Sequence, residues 1–160
     1  MAAFTASQEL HDLAFRYGLA VDTLDADVLI SIFTESGMVG GYGENPIDFR
    51  GGSGLRAMIG QVGQSFQKTM HNVFNQTFER DEVGNVTGVT TCIASHILHA
   101  DPGVTDLTLM DMAIRYHNDY VQDAGVWKFR ARRLEVLWVE TRTVQKFNPA
   151  MMNSDLKEFQ

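Results

Sequence analysis

Cysteine is almost missing from this chain. Cys92 stands alone, so no intrachain disulfide can form, and a reducing cytoplasm is the expected setting. Basic residues are in the minority, 13 Lys and Arg against 20 Asp and Glu. The resulting formal charge of −7 argues against nonspecific binding to nucleic acid or anionic membrane, both polyanionic surfaces. The one dense basic cluster is Arg130, Arg132 and Arg133. No apolar run approaches the length of a membrane span, and Met1 to Leu10 holds neither a basic nor an apolar leader region. A soluble intracellular protein without a signal peptide is therefore expected. Internal repeats, low-complexity segments and linkers are absent as well.

Several catalytic signatures are also lacking. Gly51-Gly52-Ser53-Gly54 has no Lys-Ser/Thr ending, and Gly40-Gly41-Tyr42-Gly43 has no helix start behind it, so neither is a phosphate loop. There is no G-x-S-x-G elbow and no paired-cysteine motif. His96 and His99, three apart on a predicted strand, point to opposite faces, and nothing else has ligand spacing. Neither metal nor cofactor is predicted.

What remains is an ordinary globular balance, 44% hydrophobic and 21% charged, over 160 residues, enough for one domain spanning 1–160 with a sizeable core. Thr5 and Gln8 read as a capping box, followed by Leu10, Leu13, Ala14, Tyr17, Val21 and Leu24 at helical spacing. Asp25 reads as the N-cap of a shorter helix carrying Val28, Leu29, Ile32 and Phe33. Gly37 to Tyr42 is an extended piece and Arg50 to Gly54 a loop. Ser53 then caps a third helix through Met58, Ile59, Val62 and Phe66.

The period next changes to two. Long strands are predicted over 71–80, 86–100, 106–122 and 126–142, separated by residues that tolerate tight turns. Helices followed by an antiparallel meander define an α+β domain. Strands of this length imply a strongly curved, wrapped sheet with the helices over one mouth. Residues 147–160 form a polar C-terminal tail.

Asp22 carries most chemical information. Glu9, Asp12, Arg16 and Thr23 make the solvated stripe of the first helix, and Asp22 projects away from it, beside Phe15 and Gly18. A carboxylate facing the interior needs a partner, unless it merely caps a frayed helix end. His71 opens a strand whose two faces are both mixed, so alternation alone does not place it. His96 shares a face with Cys92, Ala94 and Leu98, as a core histidine or a pocket group. Alternation puts Arg130 and Arg132 together with Leu134, Val136 and Trp138, and Arg133 opposite; each arginine alone also reads as a surface charge.

Three segments in order carry a resemblance. They are Tyr17-Gly18-Leu19-Ala20-Val21-Asp22, then Met70-His71, then Tyr116-His117-Asn118-Asp119-Tyr120 with Gly125-Val126-Trp127-Lys128-Phe129-Arg130-Ala131-Arg132. From about Leu10 to Glu140 the chain resembles the SnoaL-like branch of the NTF2-like superfamily, which includes dehydratases and dehydrochlorinases. The resemblance implies a cone-shaped α+β barrel with N-terminal helices packed on a mainly antiparallel sheet.

It also implies a catalytic pair of Asp22 with His71, a pocket tyrosine at Tyr17, a second histidine at His96, and a functional arginine at Arg132. The implied activity is cofactor-independent proton abstraction from carbon, as in dehydration or isomerisation of an apolar small molecule. A homo-oligomer, trimer before dimer, is expected. The competing reading is a noncatalytic binding or assembly subunit of the same fold, such as the small subunit of a ring-hydroxylating oxygenase.

Overall fold

The computed structural model of the chain describes residues 8–44 and 46–147. The element order is α1 (Gln8–Asp22), α2 (Ala26–Ser31), β1 (Phe33–Gly41), β2 (Asp48–Arg50), α3 (Gly51–Ser65), β3 (Phe66–Arg80), β4 (Val86–Leu98), β5 (Asp106–Asp123) and β6 (Val126–Gln145). The Thr5 cap and nearly all of the 147–160 tail lie outside the described residues.

The three helices pack on one six-stranded sheet of order β2-β1-β6-β5-β4-β3. β3 to β6 form the expected antiparallel meander, and β1 joins β6 in parallel. The sheet is curved but open, so the barrel is incomplete: β2 and β3 are its two edges. The β5–β6 turn needs only Ala124 and Gly125, both at positive φ (51° and 84°), the conformation that a two-residue hairpin turn of right-handed twist demands.

Local signals explain most boundaries. Asp25 caps α2, its Oδ1 accepting from the Val28 amide at 2.9 Å. The third helix departs from expectation. It begins at Gly51, directly after the short strand β2, so the glycines form its first turn rather than a loop and Ser53 is not its cap. It also ends at Ser65, and Phe66 already belongs to β3.

α1 turns Leu10, Leu13, Tyr17 and Val21 into the core, as its spacing predicts. They meet Cys92 and Ala94 of β4, Ile114 and Tyr116 of β5, and Phe129 of β6. The sheet's inner face is not set by simple alternation, however. On β3, Val73 pairs with Cys92 but Gln76 with Thr90, an extra residue that returns Phe78 to the inside and leaves Phe74 exposed.

On β6, Tyr120 pairs with Phe129 but Asp119 with Ala131, so Arg130 is the extra residue. Arg130 and Arg132 therefore do not share a face: Arg132 is buried and Arg130 faces solvent. A second β6 bulge at Leu137 sets Trp138 opposite Ala113, on the far side from Leu134 and Val136.

Candidate active site

α1 ends where the chain turns away through Leu24, a residue at φ 55°. Its last residue, Asp22, neither caps nor frays; it reaches β3. The carboxylate accepts three hydrogen bonds there: from the Thr69 hydroxyl at 2.8 Å, the His71 backbone amide at 2.8 Å and His71 Nδ1 at 2.7 Å. Because a carboxylate only accepts, Nδ1 holds the proton of the neutral ring, leaving Nε2 without one. Burial pushes the Asp22 carboxyl up, but the His71 side-chain and backbone donors and Thr69 outweigh it, so the carboxyl lies below its ordinary value.

The approach of α1 to β3 depends on Gly18. A Cβ at Gly18 would lie 3.0 Å from His71 Cβ. Phe15, expected beside Asp22, is instead half exposed. Gly18→Ala adds about 1 kcal/mol of helix propensity, yet it forces the histidine outward by a few tenths of an ångström. The expected result is no gain in melting temperature and shifted His71 ring signals in NMR spectra. A variant stabilised by the full propensity increment, with the His71 ring signals unchanged, would show that this contact does not constrain His71.

His71 opens onto a cavity of about 300 Å³ between the helices and the sheet. Its walls are mainly apolar, with Val21, Val39, Met58, Ile114, Leu134 and Val136 among them. The polar groups reaching it are few: Tyr17, His71, His96 and Tyr116. Tyr17 meets His71 edge-on with ring centroids 6.1 Å apart, and the His71 and His96 centroids are 6.3 Å apart. A groove on the outer side of the sheet, lined by Thr77, Glu79, His117, Asp119 and Arg133, is separate from this constellation.

His96 is buried under the Phe66 ring, and its Nδ1 lies 3.3 Å from the Met110 carbonyl. Burial pulls its imidazole below the ordinary histidine value, outweighing the carbonyl. As pH falls below about 6.5, the unfolded chain therefore takes up this proton before the folded one. Stability present above that pH is lost on acidification towards the folded-state value. Denaturant titrations between neutral pH and pH 5 should show a shallower decline for His96→Gln than for the parent; equal slopes would place the imidazole in water.

Arg132 is fully buried and does not line the cavity. Nη1 donates to Asn118 Oδ1 at 2.9 Å, and the guanidinium carbon lies 3.7 Å from the Tyr116 ring centroid and 4.3 Å from that of Tyr17. Arg133 instead turns to Asp48 and Met38. Thus Tyr17, Asp22, His71 and His96 come together, with Arg132 one layer behind.

Three contributors went unrecognised in the sequence. Thr69 and Gly18 carry no signal of their own. Tyr116 does: Tyr116, Asn118 and Tyr120 alternate within one strand, polar-tipped groups on an inward face. Among the described residues, no three His, Cys, Asp or Glu side chains gather in a metal-binding group, and no helix is long and apolar enough to cross a membrane.

Residues 2–133 match the SnoaL-like domain, and the chain belongs to that family. Solved structures share the fold. A hexachlorocyclohexane dehydrochlorinase from Novosphingobium barchaimii is 20% identical with a TM-score of 0.73, over 88% of this chain and 92% of its own. A protein assigned as a scytalone dehydratase from Novosphingobium aromaticivorans is 20% identical with a TM-score of 0.70, over 89% and 91%. No curated protein matches the chain in sequence.

Proposed function

We propose that this chain is a cofactor-independent lyase or isomerase that removes a proton from carbon, most directly in the dehydration of an apolar hydroxylated substrate. The observation that carries this reading is the carboxylate-oriented imidazole at a mainly apolar cavity. His71 Nε2 accepts the proton from carbon, and Asp22 stabilises the imidazolium that forms. The carbon electron pair becomes the new double bond, and the leaving hydroxide departs as water with a proton from Tyr17. The dehydratase and dehydrochlorinase named among the similar structures both fit an elimination chemistry of this type.

The test is proton exchange at carbon. The protein is incubated in D2O with hydroxy-ketones, steroid-like enones and polyketide phenols, beside His71→Ala. Deuterium uptake or water loss that disappears in the variant supports the mechanism; near-normal turnover by His71→Ala would defeat it.

One observation favours an assembly role alongside or instead of catalysis. Val136, Leu137, Trp138 and Val139 are all exposed in succession, so this part of β6 is uncovered on both faces. We assign its cover to further copies of the chain, a homo-oligomer with a trimer expected before a dimer. Native mass spectrometry reads the copy number. Copurification with a larger iron-containing protein would instead support the noncatalytic oxygenase subunit.

A further inference from the structure

Arg132 is a charge without a counter-charge. It is completely buried, and among the described residues no carboxylate pairs with it. Nη1 donates to Asn118, whose Nδ2 donates in turn to Thr90 Oγ1 at 3.0 Å, and the guanidinium also interacts with the Tyr17 hydroxyl. Nε and Nη2 meet no acceptor. A guanidinium keeps its charge at any physiological pH, so this arrangement is costly. Three aromatic rings compensate in part: Tyr116 at 3.7 Å, Tyr17 at 4.3 Å and Phe129 at 5.1 Å from the guanidinium carbon. Two of those rings, Tyr17 and Tyr116, line the cavity while Arg132 does not. The Tyr116 hydroxyl has no partner inside the protein.

We infer that Arg132 is a positioning residue acting through the two phenols stacked on it: its buried charge makes Tyr17 and Tyr116 stronger hydrogen-bond donors to an oxygen atom in the cavity. A cation over a phenol ring draws electron density from the hydroxyl and favours transfer of its proton toward an acceptor. The direction of the surrounding field agrees. Burial raises both phenols above the ordinary tyrosine value, and Arg132 opposes that rise in each. The other titratable groups around them are Cys92 and the Asp22–His71 pair, so Arg132 is the one permanent cation of the set. The mechanistic use of this effect rests on the elimination reading above, but the effect itself is measurable without a substrate.

The experiment places a trifluorotyrosine, whose phenol is far more acidic than that of tyrosine, at position 17 of the full chain. Its ionisation is followed by fluorine NMR in the parent, Arg132→Lys and Arg132→Met. The expected result is an apparent pKa higher by about one unit or more in Arg132→Met, a tenfold change, with most of it restored by lysine. Thermal melts identify folded variants. Should Arg132→Met fail to fold, Asn118→Asp keeps every side-chain volume and sets a carboxylate against the guanidinium; the same upward shift is expected. Equal ionisation in the folded variants and parent overturns the inference, as does a parent fluorophenol that stays protonated throughout its folded pH range. Either outcome leaves the deuterium-exchange test of His71 unaffected.

Discussion

Asp22→Asn should slow turnover by about 100- to 10,000-fold at neutral pH while leaving the fold recognisable. The amide carries a donor where the carboxylate offered only acceptors. Three donors converge on that group, the Thr69 hydroxyl and the amide and Nδ1 of His71, and the amide NH2 must face one of them. The readiest accommodation shifts the imidazole proton from Nδ1 to Nε2, which removes the basic nitrogen from the cavity. Nitrogen chemical shifts of His71 report that exchange of tautomer directly. A stability loss of about 1–3 kcal/mol accompanies it, for the bonds left unmade.

That loss has a definite pH dependence. The Asp22 carboxyl is held below its ordinary value of 3.8, so its stabilisation is present above that pH and vanishes as pH falls through the folded-state value. The parent and Asp22→Asn should therefore converge in strongly acidic denaturant titrations. Normal turnover by a folded Asp22→Asn would remove the carboxylate from the mechanism.

Phe129→Ala should have the largest effect on stability of any single truncation here, about 3–5 kcal/mol. Phe129 has no exposed surface and lies at the crossing of the helices, β1 and β6. Its ring is 5.1 Å from Phe33 and 5.2 Å from Tyr120, and its amide donates to the Ile32 carbonyl at 2.9 Å. It also forms one wall of the cage around Arg132. Truncation thus opens a void beside an unpaired guanidinium, a site that cannot collapse onto apolar neighbours. For a chain of this size the loss corresponds to a fall in melting temperature of about 6–20 °C. A fall of only a degree or two would mean that the core around Phe129 repacks.

The layout was largely legible in advance. Four strands and their turns follow from period-two patterning and turn residues, and α1 from its apolar stripe, because those signals are local. Asp22 was legible for a different reason: a carboxylate off the solvated stripe implies a partner. The identity of that partner was not, since His71 is brought to it by a contact 49 residues away in sequence. Resemblance supplied that pairing. Arg130 was misplaced because alternation assumes an unbroken ladder, and an extra residue there carries no compositional mark. β2 was missed because three residues are too few to show a period.

The bulges also give this sheet something like a reading frame. Inward positions on β6 run through Phe129, reset at Arg130, and continue through Arg132, Leu134 and Val136. Losing Arg130 would only straighten the ladder, but losing Arg133, outside the bulge, would invert the strand beyond it, presenting Glu135 to the interior in place of Leu134, as if a whole row had been rewritten at once. Lineages carrying this fold can exchange cavity side chains one by one as substrates change. Insertions and deletions within β6 are open to them only at a bulge, in pairs, or where a second bulge restores the frame.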